Sequence, residues 1–379
     1  MTDTTIDPRL AGHSLDEASQ WKLIWYKFRR HRVAMVSLYV IICFYVVALF
    51  AEFFQPFDPN DTSRGNVYHP PQMIKFIDTN DDGSKSFRPH VQDMKLKRDK
   101  LTLKATYTPE EDEKTYIKFF PKTETYYMTG FIPMNFKLIG VEGKRDRFFL
   151  FGADRLGRDM FSRVIAGTRI SMSIGLVGVG LSLVLGLMIG GVAGYFGGWF
   201  DTVSSRVIEL TLAIPTIPIW LGLSAAIPPT MDPLTRYFLI TVILSLIGWT
   251  ELARVVRGRF LAMRHEDFVI AARLDGAKPS RVIFRHMMPS LVSHIIASVS
   301  LAIPVMILAE TSLSFLGLGL LPPSISWGVL LKEAQNIRAI AQAAWLFIPG
   351  IFVVIAVLAL NFFGDGLRDA ADPYAQESH

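Results

Sequence analysis

Six apolar segments, each long enough to cross a bilayer as a helix, constrain the fold of this chain more than any other feature. A span needs about 20 apolar residues, and a helix satisfies all the backbone polar groups of one segment inside lipid. The pattern therefore predicts an all-α polytopic membrane protein with six transmembrane helices. The predicted spans are Val33–Phe53, Ile170–Tyr195, Val207–Ile227, Tyr237–Val256, Leu291–Ala309 and Trp345–Phe363.

Composition agrees with a membrane protein and argues against a soluble one. Half of the 379 residues are apolar and 19% are charged, whereas soluble domains average about 25% charged residues. The pI near 9.2 would suit a nucleic-acid binder, but the basic residues flank the spans, where the positive-inside bias of membrane proteins explains them. No nucleic-acid partner is expected. The single cysteine, Cys43, lies in the first span, so no disulfide within the chain is expected.

The distribution of basic residues predicts the orientation in the membrane. A basic cluster that includes Lys27, Arg29, Arg30 and Arg32 precedes the first span, and eight arginines and lysines lie between Arg254 and His286. Both regions are expected in the cytoplasm, which places the N- and C-termini there as well. The sequence thus divides into a cytoplasmic interfacial helix (1–32), a first transmembrane helix (33–54), an extracytoplasmic insertion (55–150), a core of five transmembrane helices (151–365) with a cytoplasmic loop at 263–289, and a cytoplasmic tail (366–379).

The insertion, defined as residues 55–150, is expected to be a small β-containing subdomain. Alternating runs at Tyr116–Phe120 and Thr125–Met128 are typical of strands. The segment Asp78–Gly83 resembles the start of a calcium loop, but Pro89 stands where a bidentate glutamate is required, so a β-turn is favoured. A second outer segment, Thr311–Ala344, is apolar enough to lie on the membrane or dip into it.

Catalytic chemistry is not expected from this chain. It contains no G-x-x-x-x-G-K-[ST] sequence, so it should not hydrolyse ATP through a P-loop of its own, and its eight histidines lack metal-ligand spacing. Three acids lie in or near spans, namely Glu209, Glu251 and Glu310. Intramembrane acids suggest a proton or ion relay, but these lie near predicted span ends, where the membrane interface can solvate them, and have no His or Lys partner at equal depth, which favours structural anchoring.

Small residues recur every fourth position in the second span, at Gly186, Gly190, Gly194 and Gly198. Such a stripe lets another helix approach closely. Packing inside the bundle is the favoured interpretation, and contact with another subunit is the alternative.

A charged stretch precedes the second span, with Asp154, Gly157, Arg158, Asp159 and Arg163 as its main members. A helix here would make Asp159 and Arg163 an i,i+4 ion pair. The simplest interpretation is a salt-bridged helix that fixes the angle of the second span.

The segment Asp267–Pro289, hereafter the 267–289 loop, has the pattern of two short helices joined by a tight turn. Small residues Ala271 and Ala272 would let the first helix lie against another protein. Gly276 suits a left-handed turn that ends it, and Pro279 can begin the second helix. Within that second helix, Arg281 and Arg285 would share one face. An ordinary positive-inside loop needs only charge, so presentation to a partner is favoured.

This loop resembles the coupling loop of ABC-importer permeases, whose pattern is Glu-Ala-Ala, three residues, Gly, nine residues, Ile-x-Leu-Pro. Ala271, Ala272, Gly276 and Pro289 match, while Ile270, His286 and Met288 depart from the pattern. The stretch at 152–163 and a terminal motif with Gly366, Arg368, Asp369, Asp372 and Pro373 also resemble the oligopeptide and dipeptide importers, in particular their second, C-type permease subunit.

The resemblance implies a set of partners and roles. A second permease subunit would complete the pathway as a heterodimer in the bacterial inner membrane. One or two separate ATPase subunits, which hold ATP and Mg, would dock on Asp267, Ala271, Ala272, Gly276, Arg281, Arg285 and Pro289. Asp267 is the candidate to replace the family's glutamate, absent at Ile270. An extracytoplasmic binding protein would deliver a di- or oligopeptide, and this chain would bind no cofactor.

Two interpretations from other classes remain at this stage. An ion-gradient-driven secondary transporter would be expected to show inverted repeats with broken helices, and Pro215 and Pro218 interrupt only the third span. A membrane-anchored binding protein would use the insertion but leaves the 267–289 loop unexplained. The importer architecture also serves nickel, opines and oligosaccharides, so the substrate stays open.

Overall fold

The computed structural model describes residues 20–79, 85–98, 105–141, 143, 146–336 and 342–371. Its helices are α1 (Gln20–Arg30), α2 (Arg32–Leu49), α3 (Ala51–Phe54), α4 (Met160–Phe196), α5 (Gly198–Ala213), α6 (Thr216–Ala225), α7 (Pro233–Met263), α8 (Asp267–Leu274), α9 (Pro279–Arg281), α10 (Val292–Leu316), α11 (Trp327–Glu333) and α12 (Ile348–Ala371). Its strands are β1 (Lys75–Thr79), β2 (Lys85–Arg98), β3 (Ala105–Phe119), β4 (Lys122–Met128), β5 (Ile132–Phe136) and β6 (Ile139–Val141).

The expected membrane-spanning architecture is confirmed. Five helical segments are long and apolar enough to cross a membrane: α2, α4, α7, the continuous segment Pro279–Leu316 and the segment Ala344–Ala371. A sixth span is counted when α5 and α6 are taken as one bent pair.

The third predicted span differs from a straight helix, since α5 and α6 meet at an angle of 88°. Ile214 has extended backbone angles (φ −90°, ψ 132°) immediately before Pro215. A proline disfavours helical geometry in the residue before it and has no N–H to continue the helical hydrogen bonds. The break therefore lies where the sequence places its proline.

Three of the four glycines of the predicted stripe lie on α4 and pack inside the bundle, as predicted, and the fourth begins α5. A β-carbon added at Gly190 would lie 2.9 Å from the Cα of Ala253 on α7, and one at Gly186 would lie 3.0 Å from the Leu252 side chain. At Gly194 an added β-carbon would collide with the Phe260 side chain and the Arg257 backbone. The fourth glycine, Gly198, has open space around it. The stripe thus sets a close approach between α4 and α7.

The insertion forms antiparallel sheets, which confirms its predicted β content. One sheet has the order β1-β2-β3-β6, and β4 pairs with β5 in a separate hairpin. Its small core is built around Val91, Ile117 and Phe148. The insertion is fastened to the helical part by backbone hydrogen bonds, such as Leu138 N–H to Phe53 O at 3.0 Å and Tyr68 N–H to Asp154 O at 3.0 Å.

The calcium alternative within the insertion gains no support. Asp78 accepts hydrogen bonds from Lys114 Nζ at 2.8 Å and from Tyr116 Oη at 2.7 Å, so its carboxylate is already engaged. These two donors hold the pKa of Asp78 down at about 2. The other proposed positions, 80–83, lie outside the described residues.

The N-terminal helix α1 packs on α12 through one face and leaves aromatic residues on the other. Ile24 and Phe28 are buried against Ala370 and Ala371, whereas Trp21 and Trp25 are exposed, as an interfacial helix requires. The expected start of this helix, at residues 14–19, lies outside the described residues.

The second outer segment folds back into the bundle. Trp327, at the start of α11, is fully buried, and its indole Nε1–H donates to the Val164 carbonyl of α4 at 3.3 Å. Phe44 of α2 and Phe352 of α12 lie against the same ring, at centroid distances of 5.6 and 6.3 Å. This short helix therefore joins three long ones.

Close packing of α4 on α7 leads to a stability prediction. Gly190→Leu should destabilise the chain by about 1–3 kcal/mol or more, because overpacking forces neighbouring atoms apart and here the nearest atoms are backbone. Thermal unfolding in detergent, followed by size-exclusion chromatography, measures the effect. Gly180→Leu is the matched control, since it lies on the same helix with nothing within 4 Å of an added β-carbon. Equal melting temperatures for the two variants would contradict the close approach.

Candidate functional site: the 267–289 loop and the acids of the bundle

The 267–289 loop folds as two short helices joined by a tight turn, as its sequence predicts. Helix α8 ends at Leu274, and Gly276, two residues later, has the left-handed φ of +74°. The N–H of Gly276 donates to the Arg273 carbonyl at 3.0 Å and the N–H of Ala277 to the Ala272 carbonyl at 3.1 Å. These bonds satisfy carbonyls that the helix end would leave without partners. An L-residue at position 276 would be strained.

The second helix of the loop is continuous with the long helix that follows. Pro279 occupies the first turn of α9, where its missing N–H has no cost. A π-helical turn at Val282–Met287 and a 3₁₀ turn at Met288–Leu291, which contains Pro289, lead directly into α10. A force applied to α9 therefore acts on one end of a membrane-spanning helix.

One side of the loop packs on the chain itself. Val269, Ala272, Val282, Ile283 and Met287 are buried in a cluster with residues of α4 and α7. Since Ala272 is 8% exposed, the expectation that both alanines face a partner is wrong for Ala272. Its small side chain lets α8 lie close to the bundle, and Ala271 alone is exposed.

The other side of the loop combines apolar and basic groups on the surface. Leu274 is 82% exposed and Phe284 is 62% exposed, and Phe268 and Ile270 are also exposed. Asp267, Arg281 and Arg285 are exposed beside them. An exposed apolar group rimmed by charges is typical of a protein-binding surface.

At the insertion end of the bundle, the motif before α4 builds a buried ionic group, hereafter the arginine–carboxylate cluster (Asp154, Arg158, Arg163 and Glu333). Arg158 Nε donates to Asp154 Oδ2 at 2.6 Å and Arg158 Nη2 to Glu333 Oε1 at 2.8 Å. Arg163 is 1% exposed. It lies 3.6 Å from Asp154 and 3.4 Å from Glu333, and it donates to the Pro59 carbonyl at 3.2 Å.

Gly157 has a structural reason to be glycine within this motif. Its φ is +72°, and an added β-carbon would collide with the Ser63 carbonyl group. The Leu156 and Arg158 N–H groups donate to Asp154 Oδ1 at 2.8 and 3.0 Å. The turn thus depends on the carboxylate at one end and on the absence of a side chain at its centre.

The expected Asp159–Arg163 ion pair is wrong. Asp159 caps α4 instead, accepting from the Ser162 N–H at 2.8 Å and the Ser162 hydroxyl at 2.6 Å. Because the Asp159 carboxylate is occupied in capping the first turn of α4, it does not pair with Arg163. Arg163 pairs with Asp154 and Glu333 instead. Burial raises the pKa of the Asp159 carboxyl to about 6, against the opposite effect of the bonds from Ser162 and Phe161. Glu333 carries no local sequence signal that would have predicted its part in the cluster.

The three acids of the bundle have three different environments. Glu209 pairs with Arg206 at 2.8 Å on the surface of α5. Glu310 is completely buried, so the expectation of solvation at an interface is wrong for it. It accepts from the Ser314 and Ser326 hydroxyls at 2.8 and 2.7 Å, and the bond from Ser326 joins α10 to the segment that leads into α11.

The third acid, Glu251, lines a cavity of about 390 Å³ between α4, α6, α7 and α10. Sequence reasoning missed this cavity because helices far apart in the sequence enclose it. Across the described ranges, no group of three or more His, Cys, Asp or Glu side chains is placed to hold a metal ion.

Comparison with known families decides the identity of this architecture. Residues 183–376 match the model of the binding-protein-dependent transport system inner membrane component family. The chain belongs to this family. Residues 19–71 match a second model, the N-terminal transmembrane domain of oligopeptide transport permease C, which agrees with the resemblance seen in the sequence.

Individual relatives give the same assignment. The oligopeptide transport system permease protein OppC of Bacillus subtilis is 28% identical over 94% of this chain and 90% of its own length. The dipeptide transport system permease protein DppC of the same organism is 37% identical over 59% of this chain and 68% of its own. Among solved structures, a chain of the inward-facing MetNI methionine ABC transporter matches with a TM-score of 0.42 and 18% identity, covering 55% of this chain and 96% of that one.

The family assignment confirms that the chain is a multi-pass permease of the peptide-transport type. Its relatives are transport subunits rather than enzymes. The roles of the 267–289 loop and of the motif at 154–163 remain predictions.

The arginine–carboxylate cluster leads to a second stability prediction. Glu333→Ala should destabilise the chain by about 3–5 kcal/mol, because removal of one member of a buried ionic group leaves the others without compensation. Thermal unfolding of the detergent-purified protein measures the loss. Glu110→Ala breaks an exposed pair with Lys95 and should change stability little, since exposed pairs contribute little. A melting temperature of Glu333→Ala equal to that of Glu110→Ala would show that the cluster does not hold the insertion end of the bundle together.

Proposed function

We propose that this chain is one of two transmembrane subunits of an ATP-driven importer and forms half of a translocation pathway for di- or oligopeptides. An extracytoplasmic binding protein delivers the peptide, and a separate ATPase subunit, which holds ATP and Mg, drives transport through the 267–289 loop. The peptide cargo follows from the relatives, which are named as dipeptide and oligopeptide permeases. Nickel, opine or oligosaccharide cargo has no comparable support.

The surface of the 267–289 loop is the observation that carries this proposal. Its exposed apolar residues surround Ala271, the smallest exposed side chain of α8, so another protein can approach the helix closely there. Gly276 has nothing within 4 Å of an added β-carbon, which leaves the turn open to a partner. An ATPase groove lined by apolar and acidic groups would complement this surface.

The connections of the loop support its role as a lever. Its buried side packs on Phe260 of α7 and Tyr195 of α4, and its second helix continues into α10. A displacement of the loop by the ATPase would therefore be passed to three spanning helices as a rigid-body movement. Switching of this kind needs packed elements with discrete arrangements rather than a flexible connection.

The insertion is the proposed contact surface for the binding protein. Its strands and hairpin expose large apolar side chains, including Phe76, Phe87, Tyr127 and Phe131. Such groups are rarely left on a surface without a binding function when they are clustered. The insertion would then receive a loaded binding protein on the side of the membrane opposite the 267–289 loop.

The proposed topology has a direct test. In a Cys43→Ser background, a membrane-impermeant maleimide added to intact cells should label Phe131→Cys in the insertion and should not label Ser280→Cys in the 267–289 loop until the cells are permeabilised. Both positions are exposed, so access and not burial decides the result. Labelling of Ser280→Cys in intact cells would overturn the assignment of the loop to the cytoplasm.

The coupling role is tested by purification of the tagged chain with its partners. An ATPase and a second permease should co-purify with the wild type, and the ATPase should be lost from Ala271→Arg, because a long charged side chain would hold the partner away from α8. ATP-driven peptide uptake should be lost with it.

Thr202→Arg is the control for added charge, since Thr202 is exposed on α5 outside the loop. It should retain the ATPase. Retention of the ATPase by Ala271→Arg would refute the docking surface, and a wild-type chain that purifies alone would refute the importer assignment.

A further inference from the structure

The cavity beside Glu251 is an open space between four helices, with both polar and apolar walls. It measures about 390 Å³ and is lined by one residue of α4, one of α6, five of α7 and five of α10. Small-molecule sites commonly occupy about 300–1,000 Å³ with apolar walls and a few polar groups. The apolar walls are Leu244, Leu252, Val255, Leu301, Ala302, Val305 and Met306.

Glu251 is the one lining residue with an ionisable side chain. It is exposed, and its carboxylate makes no hydrogen bond or ion pair with any residue in the described part of the chain. Other acids of the neighbouring helices are engaged, since Glu209 pairs with Arg206 and Asp201 with Arg257. An acid in a spanning helix without a protein partner is expected to face water or a ligand.

Neutral polar groups lie around the same space. Trp220 also lines the cavity, but its indole Nε1–H is buried and has no hydrogen-bond partner among the described residues, so this donor does not face the open space. The hydroxyl groups of Ser182 and Ser298 also line the cavity.

Gly248 keeps this space open. An added β-carbon at this position would lie 2.9 Å from Ser182 Oγ and 3.3 Å from Met306 Cε, so a side chain would fill the region between α4 and α10. The glycine stands on the same helix as Glu251, three residues earlier. A larger residue at position 248 would therefore fill part of the cavity that Glu251 lines.

We propose that this cavity is a subsite for the amino-terminal end of the peptide cargo. The Glu251 carboxylate accepts hydrogen bonds from the α-ammonium group, and the apolar walls, together with Trp220, take the first side chain. Glu251 is thus a specificity-determining residue for a free amino terminus. This inference rests on the proposed function for the identity of the cargo.

The charge of the cavity favours this end of the peptide over the other. A carboxylate attracts an ammonium group and repels a carboxyl terminus, so a carboxylate at this position discriminates between the two ends of a peptide. Ammonium–carboxylate hydrogen bonds are also among the stronger ones. A neutral, acetylated amino terminus would leave the carboxylate without its partner.

Protection of an engineered thiol tests the subsite without transport. In the purified complex carrying Cys43→Ser, the thiol of Ser298→Cys reports on the cavity. Tri-alanine with a free amino terminus should slow its modification by a water-soluble maleimide, and N-acetyl-tri-alanine should not. Glu251→Gln should raise the tri-alanine concentration needed for half-maximal protection about tenfold or more, as expected from loss of a charge-assisted hydrogen bond. Glu251→Asp should bring that concentration part of the way back.

Glu209→Gln is the matched control, because it removes a carboxylate from a neighbouring helix outside the cavity, and its protection should equal that of the unaltered chain. Elution of every variant from size-exclusion chromatography reports on folding. Equal protection by the two peptides, unchanged protection in Glu251→Gln or no protection by tri-alanine up to saturation would each overturn the subsite.

ATP-driven uptake of tri-alanine by the reconstituted complex separates the two proposals. Absence of uptake by the wild type would refute the proposed function, whatever the thiol assay shows. If the wild type takes up tri-alanine but the free and acetylated peptides protect the thiol equally, the subsite is refuted and the proposed function stands.

Discussion

The close approach of α4 to α7 is the constraint on which the rest of the structure depends. Gly186, Gly190 and Gly194 bring no side chain of their own between the two helices, so α7 approaches the α4 backbone closely along about two turns. In a lipid environment such van der Waals contact is a main source of helix association, since burial of apolar groups gains little there. The pair then forms the support on which the 267–289 loop packs and one wall of the cavity beside Glu251.

The two ends of this helix pair are held by different kinds of interaction. At the insertion end, the arginine–carboxylate cluster joins α4 to α11 through directional bonds, with Arg158 and Arg163 both reaching Glu333. At the other end, the 267–289 loop is held by an apolar cluster around Phe260 and Met287. Charged groups buried together lose much when one is displaced, whereas apolar contacts are non-directional.

Features of the fold that depend on neighbouring residues were predictable from the sequence. Pro215 marked the break between α5 and α6, Gly276 the left-handed turn of the loop, and Pro279 the start of its second helix. In each case the backbone restriction belongs to the residue itself, so no tertiary information was needed. The spans followed from length and hydropathy in the same way, and the β content of the insertion from alternation.

Features that depend on distant residues were missed or wrongly assigned. Asp159 was expected to pair with Arg163 but caps α4 instead, and Arg163 reaches Glu333, which lies 170 positions away. Glu310 was expected at an interface but is buried, because α11 folds back and supplies the Ser326 hydroxyl. Ala272 was expected on the surface, and the direction in which α8 faces the bundle placed it inside. No local pattern encodes these contacts.

The difference between the two ends has a consequence for how the subunit would switch. If ATP closes a partner against the 267–289 loop, the apolar contacts around Phe260 can re-form after a small shift, while the cluster around Glu333 cannot shift without leaving a charge unpaired. Movement would then be largest at the loop and smallest at the insertion. Glu251, on α7 between these ends, would experience an intermediate displacement, and the cavity would change shape as α10 follows the loop. A subsite placed there can hold the amino terminus in one arrangement and release it in the other, because the carboxylate lies on α7 and five of the other lining residues lie on α10.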